Sequence, residues 1–415
     1  MRNYKLKAGA LQLVLFIVVV IALLLLAFIL LIHTHKRFQV QTTVLTDTVH
    51  YAYDGIWSTV NSKEVKGDTL IISEGDNTTI KTHRSHWGIY DKVISKSNTK
   101  TYEYTKMGLL GGHSGADRVA LTLKDNNKPL VLVGDVKIEG GALIPERGIR
   151  SGNIAGHTYY NSKYVYGVTK TIQSFPKLSS ETVNHLKSLF KVLPDRRSII
   201  DIAKRRIVKN SFKDELQWIY SESDIYLQNV QLIGHIVIRS NTKITIDASS
   251  QLKDVLIIAP EIVIKDGFDG TIQAIASKAL TVGEDCVLHY PSALVLQKDL
   301  IETQESEPYR ISINQRSVVK GSVIYLGKTN PRDINAQIIL APKSTVKGEI
   351  YCEHNLDLQG TVIGSVYTHN FITRVEGTVY QNHIYNGKIL AKDLEHEYVG
   401  LPMLNEYKKV VKWLY

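Results

Sequence analysis

The fold is decided by residues 236–282, which read IVIRSNTKITIDASSQLKDVLIIAPEIVIKDGFDGTIQAIASKALTV. Apolar runs of three or four residues recur in this stretch every 7 to 11 residues, and Ser, Asn, Asp and Gly lie between them. The runs are at 236–238, 244–246, 255–258, 262–264, 272–275 and 280–282. Short strands at this spacing are typical of a solenoid of stacked coils, in which the Val, Ile and Leu side chains of each coil point inward.

A looser repeat extends the pattern toward the C-terminus. The motif apolar-x-Gly-x-apolar occurs at 319–323, 346–350, 358–362 and 375–379, and glycine suits corners that need a positive φ. We therefore predict a mainly β protein with an N-terminal transmembrane helix and a right-handed parallel β-helix at 216–390. A β-sandwich is the alternative, but its strands are usually five or six residues long and joined by hairpins.

The region before the solenoid, 66–215, is predicted to be β-rich with a helical insertion. Period-two segments occur at 69–72, 87–90, 119–123 and 128–138, and this periodicity predicts strands. Ser179 is a candidate N-cap for a helix whose apolar stripe ends at Pro194. A second helix, rich in Arg and Lys, is expected at 199–208.

Two further predictions concern the C-terminal half. Residues 391–415 are predicted to form a capping segment for the solenoid, with a short helix at 403–415. The two cysteines, Cys286 and Cys352, are too few for a disulfide scaffold. They lie in apolar β segments about three coils apart, so we expect both to be buried and unbridged.

The N-terminus contains an apolar segment long enough to cross a membrane. Residues 10–32 form a run of 23 residues in which Gln12 is the polar member. A helix of that length extends about 34 Å, and a bilayer hydrocarbon core is about 30 Å thick. The run is too long for the apolar core of a signal peptide, and no Ala-x-Ala cleavage pattern follows it. We predict a retained transmembrane helix at 10–32 after a cytoplasmic leader at 1–9.

The apolar pattern continues beyond the membrane segment. In residues 38–60 apolar side chains recur at threes and fours, which predicts an amphipathic stalk helix within 33–65. One rod of about 45 residues is the expected result. The alternative is a separate stalk helix after a break at 33–36.

Charge favours an N-terminus in the cytoplasm. Arg2, Lys5 and Lys7 precede the apolar run, whereas Lys36 and Arg37 follow it, so the positive-inside rule favours export of the C-terminal domain. The predicted location is the bacterial inner membrane, crossed once, with that domain in the periplasm. The formal net charge of +10 is spread along the chain without a run of five basic residues, so we predict no nucleic-acid partner.

The sequence contains little that indicates catalysis. Residues 112–116 differ from the Gly-x-Ser-x-Gly nucleophile elbow because Ala116 replaces the final glycine, and we interpret them as a glycine-rich loop. Five carboxylates are interpreted as solvated corner residues, because Asp is common at turns. They are Asp247, Asp254, Glu261, Asp266 and Asp269. We predict no catalytic, cofactor-binding or metal-binding residue and no cofactor.

The first sixty residues resemble a known family. Residues 5–10 read Lys-Leu-Lys-Ala-Gly-Ala, a short basic leader that ends in a glycine before the long apolar helix. This arrangement resembles the type IV pilins and the pseudopilins of type II secretion, in which the leader is cut after the glycine. The resemblance implies cleavage between Gly9 and Ala10. The sequence departs from the family at Val14, where a glutamate is usual, and at Ala10, where Phe is usual.

The β repeats with glycine corners are similar to bactofilin-like and pectate-lyase-like β-helices, and the overall pattern resembles envelope proteins of Bacteroidota-type bacteria. The leading hypothesis is an exported, non-enzymatic structural or assembly protein of the bacterial envelope, pilin-like in its anchor. Its partners would be the lipid bilayer and other envelope, pilus or secretion proteins. The alternative is a membrane-tethered β-helix that binds or cleaves a polysaccharide glycan, and a plain scaffold or adhesin is a third hypothesis.

Overall fold

The computed structural model describes residues 8–61, 69–74, 78–99, 101–115, 118–298, 309–327, 333–404 and 406–415. The chain is mainly β with one long apolar helix at its N-terminus, as predicted. It divides into two compact units. Unit 1 contains Met1–Thr59, Asp68–His83 and Ile94–Lys106, and unit 2 contains Val60–Gly67, Arg84–Val93 and Met107–Tyr415.

The helices and strands have the following bounds. The helices are α1 Ala8–Asn61 and α2 Ser180–Leu189, with short 3-10 helices at Arg196–Ser198 and Ala391–Asp393. The strands before α2 are β1 Thr69–Glu74, β2 Thr78–Trp87, β3 Tyr90–Thr99, β4 Glu103–His113, β5 Val119–Leu123, β6 Leu130–Val133, β7 Lys137–Glu139, β8 Gly141–Ile144, β9 Ile149–Ser151, β10 Asn153–Ile154, β11 His157–Thr158 and β12 Thr169–Thr171. The strands after α2 are β13 Ile207–Asn210, β14 Gln217–Ser221, β15 Ile225–Leu227, β16 Gln231–Gly234, β17 Ile236–Ser240, β18 Lys243–Ile246, β19 Gln251–Ile264, β20 Asp269–Val282, β21 Val287–Gln297, β22 Arg310–Ile313, β23 Val318–Leu326, β24 Ile338–Leu340, β25 Thr345–Leu358, β26 Thr361–Val375, β27 Thr378–Gln381, β28 His383–Tyr385, β29 Lys388–Leu390 and β30 Tyr407–Trp413.

In unit 1, α1 is one unbroken helix of 54 residues, so the break considered at 33–36 does not occur. It is long and apolar enough to cross a membrane, and its most apolar window is entirely unburied in the isolated chain. The predicted apolar stripe is only partly buried, since Ile56 is fully buried whereas Phe38 and Leu45 are 68% and 44% exposed. The buried stalk residues are Thr48, Ala52, Gly55, Ile56 and Thr59. A Cβ at Gly55 would collide with the side chains of Ile80 and Ser95, so small residues allow the helix to approach these strands closely.

Unit 2 is built on a closed, largely parallel sheet whose strands pair in three ladders. The first ladder follows β13, β16, β19, β20, β21, β23, β25, β26, β29 and β7. The second follows β14, β17, β19, β20, β21, β23, β25, β26, β5, β8 and β12. The third follows β15, β18, β19, β20, β22, β24, β25 and β26.

The core of unit 2 lies inside these ladders. On the second ladder, successive inward residues are in register and all belong to one buried apolar cluster. They are Ile219, Ile238, Ile257, Ala274, Leu294, Val323, Ile350, Val366 and Leu121. Residues directly above one another on neighbouring strands bury each other's apolar surface, which is the stacking that the repeat in 236–282 predicts.

One corner of the closed sheet is a stack of glycines. Gly321 pairs with Gly348, and Gly348 pairs with Gly364, at φ values of 146°, 147° and 141°. A Cβ at Gly348 or Gly364 would meet the carbonyl oxygen of the glycine on the preceding strand. The predicted motif therefore identified two members of the corner, and Gly364 belongs to a further copy of the motif at 362–366.

Several sequence-based boundaries differ from the structure. Strands β5, β7, β8 and β12 belong to the same closed sheet as the strands from 207 to 390, so this sheet is not limited to the predicted 216–390. Residues 88–89 form a turn between β2 and β3, whereas a strand was predicted at 87–90. The predicted helix at 199–208 is wrong, because residues 207–210 form β13. Ile207 and Lys209 are exposed while Val208 and Asn210 are buried, an alternation of period two.

The C-terminal prediction is also wrong. A helix was expected at 403–415, but Tyr407–Trp413 forms strand β30, which pairs antiparallel with β4. The apolar spacing fits both a helix and a strand, and the free edge of β4 decides in favour of the strand. Helix α2 begins after Ser179 as expected. Cys286 and Cys352 are both free and buried, which confirms the prediction for them.

Candidate functional site

Two features of the described chain have the character of a functional surface. One is the apolar part of α1, where residues 10–32 are exposed in the isolated chain. The other is a polar groove on unit 2 with a volume of about 720 Å³. We call the second feature the polar groove and define it by Lys124, Asp333, Glu353, His354, Asn355, His369 and Asn370, which are among the residues that line it.

The polar groove lies where consecutive strands turn the same corner. Asn355 of β25 is in register with Asn370 of β26. The next strand along the stack is β5, and the backbone N–H of Lys124 donates to the carbonyl oxygen of Thr368 at 3.0 Å. Because each strand level repeats the corner, side chains from different parts of the sequence form one row along the stack.

Amide side chains fix this corner. The Asn370 Nδ2 group donates to Asn355 Oδ1 at 2.9 Å. Asn355 in turn donates through its own Nδ2 to the carbonyl oxygens of Asp333 and Asn335, at 2.9 and 2.8 Å. The amides therefore close the bend between two ladders, and they hold the groove floor in one geometry.

Other groups in the groove retain hydrogen-bonding capacity. Among the residues that the structure describes, the Lys124 amine has no hydrogen bond or ion pair, and neither ring nitrogen of His369 has a hydrogen-bond partner. Burial lowers the pKa of His369 to about 4, and the positive charge of Lys124 adds to this effect. His369 is therefore a neutral ring at pH 7, with one donor and one acceptor nitrogen. Phe175 contacts its ring edge to face, with 4.6 Å between centroids.

Glu353, one of the two acidic residues of the groove, is partly shielded. Glu353 Oε2 accepts a hydrogen bond from the backbone N–H of Gly327 at 3.2 Å, and burial raises the pKa of this carboxyl above its usual value. Lys124 and Lys128 line the groove as well. The groove thus presents both signs of charge together with neutral amide and imidazole groups.

A second polar cluster in unit 2 is buried and not accessible to a ligand. Ser322, Glu349 and Ser365 are in register on the outward face of the second ladder and are all buried. Glu349 Oε2 accepts a hydrogen bond from the backbone N–H of Leu401 at 2.7 Å, and burial raises the pKa of this carboxyl to about 7. The Tyr290 hydroxyl donates to the Val399 carbonyl oxygen at 2.8 Å. These contacts fasten the segment after β29 to the sheet.

The structure does not bring the five predicted corner carboxylates together. Asp247 lies 3.2 Å from the Lys265 amine, and Asp269 lies 2.9 Å from the His289 ring. Asp254 is not solvated as predicted, because it is buried with a φ of 63° and lies 2.6 Å from the Lys412 amine. Asp247 and Asp266 line one cavity of about 370 Å³, but Asp254 and Asp269 are not among the residues that line it.

The remaining sequence candidates occupy separate places. Gly9 and Ala10 lie in the first turn of α1 and are exposed. The Ser114 hydroxyl donates to Glu406 at 3.2 Å, while His113 contacts the Tyr398 carbonyl oxygen, so no Ser–His pair forms between these neighbours. Ala116 lies outside the described residues. In the described part of the chain, no group of three or more His, Cys, Asp or Glu side chains could hold a metal ion.

Sequence reasoning missed the polar groove. Its signal was present, because His-Asn followed by a large apolar residue occurs at 354–356 and again at 369–371. Polar dipeptides between apolar runs are common in loops, which conceals such a repeat. Only the strand pairing reveals that the two copies lie side by side.

Comparisons with known proteins add little to this picture. No family model matches the chain, and no curated protein matches it. Among solved structures, it is similar to the competence-associated pilin ComZ from Thermus thermophilus, with 8% identity, coverage of 91% of this chain and 95% of that chain, and a TM-score of 0.20. A TM-score this low does not indicate a shared fold, so the similarity carries no argument about function.

Proposed function

We propose that this protein is a single-pass, membrane-anchored, non-enzymatic structural or assembly protein of the bacterial envelope. The observation that carries the proposal is α1, an unbroken helix of 54 residues. Its residues 10–32 are exposed and apolar, with Gln12 as the polar exception. Exposed apolar surface of that extent is unfavourable in water and favourable in lipid or against similar helices. The partners that follow are the bilayer and other envelope proteins.

The length of α1 supports an assembly role beyond a tether. A bilayer core takes about 20 helical residues, and residues 33–61 then extend roughly 43 Å further. A simple anchor would be complete after the membrane segment. A helix that continues beyond the membrane offers a further surface for contacts between subunits, which is useful in a pilus-like or secretion assembly.

We propose that the exported part contains a right-handed parallel β-helix. The three parallel ladders and the in-register inner stack support this architecture. The positive charges at Arg2, Lys5 and Lys7 support a cytoplasmic N-terminus, with the β domain in the periplasm.

The experiment that tests the pilin-like version is sequencing of the N-terminus of the protein purified from membranes. We expect the mature chain to begin at Ala10. The variant Gly9→Val should retain Met1, because the side chain blocks cleavage at the glycine. The control Ala22→Val introduces the same valine side chain farther along the helix and should still begin at Ala10.

An intact Met1 on the wild-type chain would remove the pilin-like version. The anchor itself is tested separately by alkaline extraction of membranes. Wild-type protein should stay with the membrane pellet, and a chain without residues 1–32 should not. Release of the full chain by alkali would contradict the membrane anchor.

A further inference from the structure

The chemistry of the polar groove limits what can bind there. An apolar ligand would leave the ring nitrogens of His369 and the second lone pairs of Asn370 and Glu353 without hydrogen-bond partners, which is costly. An anion would face the carboxylates of Glu353 and Asp333, and a cation would face the amines of Lys124 and Lys128. The groups fit a ligand that donates and accepts hydrogen bonds and carries no net charge.

The shape of the groove narrows the class further. Its residues come from four successive strand levels, those of β24, β25, β26 and β5. Three spacings of about 4.8 Å give a length of roughly 14 Å. The volume of about 720 Å³ falls within the range of about 300–1,000 Å³ for small-molecule sites. The site is thus elongated along the stack and suits a short linear chain better than a compact molecule.

The open groups are arranged in a row along that length. His369 and Lys124 lie on adjacent levels and have unused hydrogen-bonding capacity within the described part of the chain. Asn370 lies beside His369, and its Oδ1 atom can accept a hydrogen bond from a ligand because its bond to Asn355 uses Nδ2. The backbone and amide bonds of the corner hold these side chains in place before any ligand arrives, which lowers the entropic cost of binding.

We propose that the polar groove binds a neutral, linear oligosaccharide, whose hydroxyl groups bond to His369, Asn370, Glu353 and Lys124. Sugar hydroxyls both donate and accept, so one ligand class satisfies all four residues. The site binds and does not cleave. This function goes beyond anchoring and assembly, and it does not depend on processing of the N-terminus.

The test is isothermal titration calorimetry on the full chain in detergent micelles. The probes are maltotetraose, cellotetraose, N-acetylchitotetraose and a pool of neutral oligosaccharides released from bacterial envelope glycans. Tetragalacturonate and inorganic phosphate are the charged comparators. We expect at least one neutral probe to bind with a Kd of millimolar order or tighter.

Groove variants localise the binding. His369→Ala should weaken affinity at least tenfold. Lys124→Ala, at an exposed position where folding is not at risk, should weaken it at least threefold. The matched control Lys265→Ala removes an exposed lysine elsewhere on the same sheet and should leave affinity unchanged. Absence of binding by every neutral probe and the pool, binding only of the charged comparators, or binding insensitive to both groove variants would each overturn the proposal.

Discussion

At the residue scale, burial of Glu349 makes the stability of the protein depend on the ionisation of one carboxyl group. Its carboxyl is fully buried beside tyrosines and holds the backbone of Leu401. Burial raises the pKa of Glu349 to about 7 in the folded protein, compared with about 4.3 in an unfolded chain. Between these values the folded state keeps a proton that the unfolded state has lost.

This difference predicts that stability falls as pH rises. Below about pH 4 the ionisation of Glu349 does not affect the free energy of unfolding. Above about pH 7 it lowers the free energy of unfolding by its full amount, of order 3 kcal/mol. Asp357, with a pKa raised to about 6 by burial, acts in the same direction. Glu349→Gln should therefore lose less unfolding free energy than wild type between pH 5 and pH 8.

Urea unfolding of the full chain in detergent, followed by the fluorescence of buried Trp87 and Trp218, measures this difference. Glu397→Gln is the control, because its side chain is 85% exposed. Parallel pH profiles for wild type and Glu349→Gln would contradict the assignment.

At the element scale, strand β30 shows why a local pattern can be assigned incorrectly. Residues 403–415 have apolar spacing compatible with a helix, and Val410 and Val411 are equally at home in a strand. The edge of β4 supplies backbone partners that the local sequence does not reveal. The stalk of α1 is a second example, since its buried face contains the small residues Thr48 and Gly55 beside the apolar residue Ile56.

Strand β30 carries one ion pair whose loss should be costly. The Lys412 amine lies 2.6 and 2.8 Å from the two carboxylate oxygens of Asp254, whose side chain is 4% exposed. Lys412→Met leaves that carboxylate without its cation, so the free energy of unfolding should fall by about 3 kcal/mol. Adding Asp254→Asn should restore part of the loss, because Asn tolerates the positive φ and needs no cation.

The control for this pair is Lys409→Met on the same strand. Lys409 pairs with Glu397, and the two side chains are 39% and 85% exposed, so its loss should change unfolding by less than about 0.5 kcal/mol. Equal effects of the two lysine substitutions in urea titrations would rule out a special role for Asp254.

At the scale of the whole molecule, the closed sheet of unit 2 joins distant parts of the chain. Val366 of β26 pairs with Leu121 of β5, and Ile389 of β29 pairs with Ile138 of β7. Residues 119–171 therefore extend the stack that begins at β13, although α2 separates the two segments in sequence. Because the two segments share one sheet and one core, we expect them to unfold together.

Leu121→Lys tests this closure. The substitution places an unpaired charge in the core beside Val366, where Leu121 is fully buried, and should cost several kcal/mol, of order 3 or more. Hydrogen exchange should show loss of protection in β26 as well as in β5. Thr169→Lys, on an exposed position of β12, is the control and should leave both strands protected. Loss confined to β5 would show that the two segments are independent.

The sequence by itself determined the features that rest on local periodicity. The apolar run at 10–32 specifies a membrane-length helix, because only length and hydrophobicity matter there. The short apolar runs and glycine corners specify a mainly β unit with an inner stack, and the two isolated cysteines are buried and unbridged. Such features can be predicted without knowing which segments meet, because each inward residue contacts a similar apolar residue on the neighbouring strand.

The tertiary structure decided the features that depend on contacts between segments distant in sequence. It placed residues 119–171 on the end of the stack, turned 407–413 into a strand and buried Asp254 against Lys412. It also aligned His369 and Asn370 with Lys124 in one groove, from two stretches of sequence that are unremarkable by themselves. The physical reason is that strand pairing and ion pairing are long-range contacts, and their energies appear only when distant residues are brought together.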